Sequence, residues 1–207
     1  MKLLGEKSLD EKREVNYTYI RSIIFIIIGI LICQGLQIIL VPKRFPYTKS
    51  YDFGKLPGYY NEERDSLDVI MCGASHVSRG ILPMELYELY GIKSYNLATS
   101  GQTLELSYYL LCEALKTQTP RLFILDVSAL YNEQVIDAQW TMLLDDMKFG
   151  KNKIEAARCY RSTATGVRET VFPLLRYHTR WKQLDDEDFI AIFRNKNYYG
   201  KGGKFNL

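Results

Sequence analysis

The sequence predicts an α/β domain built on a parallel sheet and carried by one N-terminal membrane-spanning helix. Three observations predict it. An uncharged stretch, Ser22–Val41, lies near the N-terminus. Beyond it, short continuous apolar runs alternate with segments of helical periodicity. The residues after each apolar run are small, polar or glycine.

The uncharged stretch reads SIIFIIIGILICQGLQIILV, which is 20 residues long. At about 1.5 Å per residue it spans about 30 Å, the hydrocarbon thickness of a bilayer. A buried core helix is usually shorter and shows a polar face; here Gln34 and Gln37 are the only strongly polar members and lie near one end. The competing reading is a cleaved signal peptide. The apolar run is too long for one, and no small-x-small cleavage motif follows. Bulky Ile32 before Cys33 does not suit lipoprotein processing either. Lys7, Lys12, Arg13 and Arg21 on one side balance Lys43, Arg44, Lys49 and Lys55 on the other, so the positive-inside count is a tie. The short tail, residues 1–21, then sets the expectation: tail in the cytoplasm, a single pass over 22–41, and the main domain outside.

The rest of the 207-residue chain is long enough for one ordinary domain with its own core. Apolar residues make up 47% and charged residues 25%, which is a globular balance. A net charge of +3, with basic residues scattered among acids, excludes a nucleic-acid stripe. The 16 tyrosines suit a carbohydrate-facing or membrane-interface surface. Cys33, Cys72, Cys112 and Cys159 form no CxxC pair, and only two histidines accompany them, which argues against a zinc site. They read as small apolar residues. The acids Asp185-Asp186-Glu187-Asp188 read as a solvated helix start without the partners a metal needs. No metal and no cofactor is expected.

Residues 42–66, rich in Pro, Tyr, Gly and charge, read as a linker, and 67–207 as the domain. Leu67–Cys72 is an apolar run ended by Gly73, hence a buried strand. Pro83–Tyr90 has Pro at a helix start and Gly91 as its stop. Ser94–Ala98 is a second strand. Thr103–Thr117 is the clearest helix, with Leu104, Tyr108, Leu111 and Leu115 on one face. Leu122–Val127 is a third strand. Helices are expected over Asn152–Ser162 and Val167–Tyr177, and Phe189–Phe193 is a short apolar run of open type. This is a βαβαβ order with parallel pairing, and continuous apolar strands suit a sheet covered on both faces.

In such sheets ligands bind at the carboxyl ends of the strands. Those ends carry Gly73-Ala74-Ser75-His76, Thr99-Ser100-Gly101-Gln102 and Asp126-Val127-Ser128. A serine becomes a nucleophile only when a base takes its proton and donors hold the oxyanion. Ser75 on the first turn is the candidate, against the plainer reading of a helix cap. Gly101 can bring a backbone N–H close, or can simply permit a tight turn. Asp126 can cap the next segment or hold the loop. No second glycine follows Ser75, so this is not the G-x-S-x-G elbow. No GxGxxG follows the first strand, which disfavours a nucleotide- or flavin-binding module.

The blocks GASHVSRGILP, YNLATSGQT and PRLFILDVS together resemble the SGNH (GDSL-like) hydrolase superfamily. They are most similar to its membrane-anchored bacterial branch, which includes the D-alanine transfer and alginate acetylation proteins. The resemblance covers residues 67–130 and continues more loosely through RYHTRW (176–181). It implies a flavodoxin-like three-layer α/β/α sandwich, with Ser75 as nucleophile and the N–H groups of Ser75 and Gly101 as the oxyanion hole. It also implies a serine esterase or acyltransferase acting on acyl esters of cell-envelope polymers, with the bilayer and an envelope glycan or acyl ester as partners. His76, Gln102, Asp126, Ser128 and Asn132 are further candidates. Two departures matter. The family's third-block asparagine falls near Ser128 here, with Asn132 four residues on. The family's Asp-x-x-His is not found, since neither His76 nor His178 has Asp three residues before it. His76 adjoins Ser75, and adjacent side chains diverge; His178 reads as a packing or surface residue. The expectation is a sheet cut short, a chain lacking its last strands and the Asp-His pair, without normal hydrolytic activity in this form. The alternative is a non-catalytic, membrane-tethered accessory protein of envelope polysaccharide assembly.

Overall fold

The computed structural model describes residues 2–42, 55–130, 137–160, 166–193 and 200–203. Helix α1 runs Lys2–Leu40. Its stretch Tyr17–Leu40, 24 residues of mean hydropathy 2.7, is long and apolar enough to cross a membrane, and 6% of it is buried by the rest of the chain. A core helix of such composition would be mostly covered. Phe25 is 78% exposed, and the described residues leave most of this apolar surface uncovered. The backbone helix continues through the expected tail without a break.

Three parallel strands form the sheet: β1 (Val69–Cys72), β2 (Ser94–Asn96) and β3 (Leu122–Leu125), in the order β2-β1-β3. β1 is central, with Ile70 opposite Tyr95 on one side and Phe123 on the other. Its side chains alternate, as a pleat requires. Ile70 and Cys72 enter one core, with Leu56, Tyr59, Tyr95, Leu106, Leu110 and Trp140. Val69 and Met71 enter a second, with Val77, Ala98, Ile81 and Leu86. Helices α3 (Ser75–Gly80) and α4 (Pro83–Tyr90) supply the second layer; α2 (Lys55–Tyr59), α5 (Leu104–Ala114), α6 (Asp137–Asp146) and α7 (Lys151–Cys159) supply the first. Both faces of β1 are thus dry, and burial pushes the Cys72 thiol far above its ordinary value, with nearby Lys55 working the other way. The reading of Cys72 as an inert apolar residue holds.

Three expectations need correction, and one run left open in type is assigned. The segment read as a linker contributes α2, with Lys55, Leu56 and Tyr59 each about 1% exposed. Pro and Gly inside that short helix hid it, because both residues usually punctuate loops. The buried face of α5 is Leu106, Ser107, Leu110, Glu113 and Ala114, not the stripe containing Tyr108 and Leu115, which are 60% and 54% exposed. The stripe instead borders a groove beside β3, lined by Leu104, Tyr108, Leu111, Phe123 and Leu125. Val167–Tyr177 is two short helices, α8 (Val167–Val171) and α9 (Leu174–Tyr177), because Pro173 cannot continue the first. Phe189–Phe193 belongs to helix α10, Asp186–Phe193, with three of the four acids in its first turn.

The expected open edge is present. Leu122 is 53% and Leu125 36% exposed on β3, and among the described residues no strand lies beyond it. The other edge differs: the Asn96 N–H donates to the carbonyl of Lys201 at 2.9 Å, so the 200–203 segment closes β2.

Lys55 ties the layers together. Its Nζ donates to Ser78 Oγ at 2.9 Å and to the Ala98 carbonyl at 2.6 Å, while Tyr95 Oη donates to the Lys55 carbonyl at 2.7 Å. Lys55→Ala removes both Nζ bonds and leaves a void in a closed core. We expect a loss of about 3 kcal/mol, combining a cavity with two unsatisfied buried groups. Urea denaturation of the detergent-solubilised chain checks this.

Candidate functional site

β1 leaves the sheet through Gly73, whose φ is 145°. Glycine is required there twice over. An L side chain rarely adopts this conformation, and a Cβ would lie 2.3 Å from Asp126 Cβ and 3.1 Å from its backbone nitrogen. Ala74 then stands at the N-cap of α3, and Ser75 is its first residue. The helix-cap reading of Ser75 is therefore displaced by one residue: the cap position holds Ala74, with no side-chain cap hydrogen bond. Among the described residues the Ser75 hydroxyl has no hydrogen-bond partner, and the residue is half-buried.

Asp126 follows β3 and holds the rim together. Its own N–H donates to the Cys72 carbonyl at 3.1 Å. Its Oδ2 accepts from the Ala74 N–H at 3.3 Å, and its Oδ1 from the Ser128 N–H at 2.8 Å. Burial works to raise its pKa. The Ser128 amide and hydroxyl, the Ala74 amide and neighbouring His76 outweigh burial, so the carboxyl sits below its ordinary value. It is a fixed acceptor, which matches the loop-holding reading. His76 Nδ1 lies 3.8 Å from Asp126 Oδ2, but the imidazole is 80% exposed. A pair so exposed contributes about 0–1 kcal/mol, and only when the imidazole is protonated.

The β2 end joins the same rim. The Thr99 N–H donates to the Gly73 carbonyl at 3.1 Å. Gly101 has φ 68°, the left-handed turn that its lack of a side chain permits. Arg79 of α3 reaches Ser100 Oγ at 3.4 Å. Gln102 is 2% exposed and fully engaged: its Oε1 accepts from Thr99 Oγ1 at 3.0 Å and its Nε2 donates to Ser107 Oγ at 2.9 Å. It shapes the turn from inside and presents nothing to a ligand.

The three strand ends therefore meet. The Ser75 turn is bonded to the Asp126–Ser128 turn on one side and to the turn carrying Gly101 on the other. Ser128 serves as a backbone donor and sits in a 3-10 turn, Val127–Leu130. Asn132 lies outside the described residues. His178 is placed elsewhere, in a groove against α1 with Ile26, Gly29 and Cys33, its Nδ1 3.0 Å from the Leu175 carbonyl. Both histidines of the chain are thus accounted for, and His178 is remote from Ser75. Among the described residues no cluster of metal-ligating side chains occurs.

Sequence reasoning missed two residues that position the rim. Asn96 is fully buried; its Nδ2 donates to the Val77 and Ile81 carbonyls at 2.8 and 3.0 Å, and its Oδ1 accepts from the Ala98 N–H at 3.0 Å. It pins α3 to the β2 exit. An asparagine inside an apolar strand was the available signal, since a buried amide needs partners. Lys55, bound to Ala98, gave no signal from its sequence surroundings.

Comparison with known protein families, with curated proteins and with solved structures returned no match.

Gly73→Ala must move the β3 exit as well as adopt a rare backbone conformation. We expect about 2–4 kcal/mol of destabilisation, read as a lower denaturation midpoint. Asp126→Asn tests the clamp through pH. A carboxyl depressed in the folded state stabilises above its unfolded pKa, near 4, and that stability drains as pH falls through the lower folded value. The variant should be less stable by about 2 kcal/mol at pH 7, the range for hydrogen bonds to a charged group, with the gap to wild type narrowing as pH falls below the unfolded value.

Proposed function

We propose that this chain is a membrane-anchored serine esterase or acyltransferase of the SGNH type, acting on acyl esters of cell-envelope polymers, with its α/β domain outside the cytoplasm of a bacterial cell. The observation that carries the reading is the hydrogen-bonded junction of the three strand ends. Among the described residues it leaves the Ser75 hydroxyl without a hydrogen-bond partner and half-buried, on the rim that also carries the Asp126 clamp and the left-handed turn at Gly101. In this reading Ser75 Oγ attacks the acyl carbon. The backbone N–H groups of Ser75 and Gly101 hold the oxyanion, and the polymer alkoxide leaves with a proton. The acyl group then passes to water or to another hydroxyl. The long apolar stretch of α1 supports the anchor, keeping the rim close to the polymer surface.

One observation favours a second reading, a non-catalytic tethered accessory protein. Turnover needs a base on Ser75, yet the His76 imidazole lies on the Asp126 side and His178 packs against α1. Covalent trapping separates nucleophile from bystander without requiring turnover. A fluorophosphonate probe should phosphonylate Ser75, identified by peptide mass, and Ser75→Ala should abolish the adduct. Hydrolysis of p-nitrophenyl acetate above background, abolished by Ser75→Ala, is the turnover that the accessory reading excludes. Absence of a Ser75 adduct, or an adduct that survives Ser75→Ala, would transfer the case to the accessory reading.

A further inference from the structure

A cleft opens at the β2 edge of the sheet, away from the strand ends that carry Ser75. Its volume is about 520 Å³, within the range of about 300–1,000 Å³ in which proteins bury small ligands. Helix α4 supplies one wall with Pro83 and Tyr87, and the stretch after α2 supplies the other with Glu62 and Glu63. Ser94, the first residue of β2, lies at the floor and is 3% exposed.

The ladder explains why the cleft opens there. The Val69 N–H donates to the Lys93 carbonyl at 3.1 Å and the Leu97 N–H to the Met71 carbonyl at 2.8 Å. Lys93, Tyr95 and Leu97 therefore turn their backbone groups to β1, while Ser94 and Asn96 turn theirs to the outer edge. At Asn96 that edge is closed. Its N–H is taken by the Lys201 carbonyl, and a Cβ on Gly202 would overlap the Asn96 carbonyl. Lys201 Nζ reaches Glu62 Oε2 at 2.5 Å, tying the 200–203 turn to the opposite wall. Ser94, two residues earlier, lines the cleft instead.

Ser94 carries an unmet demand. Its hydroxyl is buried without a hydrogen-bond partner, whereas buried polar groups are almost always paired. A ligand hydroxyl, or a water held beneath the ligand, supplies the missing partner.

The rest of the lining defines the ligand. Glu62 and Glu63 are matched by Lys93 and Lys201, so these four side chains carry no net formal charge and favour neither an anion nor a cation. Pro83, Met84 and Tyr87 add an apolar strip, and Tyr87 is 53% exposed. A neutral molecule with hydroxyls at its rim and an apolar face suits both halves of the cleft, and a sugar ring has that form. Tyrosine serves each part of it: an apolar ring for stacking and a hydroxyl for the sugar's rim.

We propose that the cleft between α4 and residues 58–66 binds a neutral sugar unit of a glycan, stacked on Tyr87 and hydrogen-bonded at Ser94. The site does not depend on Ser75 being reactive. Thr99, whose N–H donates to the Gly73 carbonyl, is five residues beyond Ser94. That is no more than about 18 Å of extended chain, so a glycan seated in the cleft can extend to the Ser75 rim.

The test uses the full chain in phosphatidylcholine nanodiscs, free of sugar-based detergent. Saturation-transfer NMR and isothermal titration are run with maltotriose and chitotriose, against trialanine and glycerol phosphate. Transfer is expected to a neutral oligosaccharide, strongest at its ring protons. Tyr87→Ala should weaken binding about tenfold, the loss that one aromatic contact represents. Ser94→Ala should weaken it severalfold while leaving the thermal midpoint unchanged or higher, because this variant removes an unpaired hydroxyl and no bond. Absence of transfer to both oligosaccharides overturns the proposal, as does binding that both variants leave intact. Transfer to trialanine or glycerol phosphate alone overturns the sugar as occupant. Fluorophosphonate labelling of Ser75 is read separately, so a negative result at the cleft leaves the proposed activity standing.

Discussion

The close approach of Gly73 to Asp126 is the constraint on which the rim depends. Two neighbouring strands end side by side, and the exit of one must pass beneath the exit of the other with no room for a side chain. The Asp126 carboxylate then bonds across the gap to Ala74 and along its own turn to Ser128. Because the acceptor is ionised and partly shielded, these bonds are stronger than neutral ones. Ser75 owes its position to them. It is the residue that remains once the turn has been fixed on both sides.

The stretch Lys55–Tyr60 is part of this arrangement. Lys55 holds the β2 exit, Tyr59 donates to the Ala114 carbonyl, and Tyr60 donates to Glu113. Burial raises the Tyr59 hydroxyl to about 12, so it remains a donor at any physiological pH. The sheet is therefore braced by α2 and the residue after it, in the stretch that sequence reads as a linker.

The sheet and its order were legible because three apolar runs, each ended by glycine or a small polar residue, leave few other solutions. Pro83 and Gly91 marked α4 to the residue, since both act through their own backbone chemistry. What was not legible depended on distant partners. Lys55 looks like any solvated lysine until the Ala98 carbonyl is placed beside it. The stripe of α5 was read as a buried face because four apolar residues recur at helical spacing; periodicity identifies an apolar face but not what covers it. The same limit applied to α9 and α10, whose packing against α1 has no signal in their own sequence. At the candidate site, Ser75, Gly101 and Asp126 were identified from their places after strands. Gln102 was not understood, because its burial depends on Thr99 and Ser107 folding over it.

The two margins of the sheet are unequal. On the β2 side Lys201 already occupies the ladder position that a newcomer would need; on the β3 side the backbone ladder is vacant among the described residues. Two copies of this chain could join β3 to β3 at the margin left open among the described residues. Such a union consumes both vacancies at once.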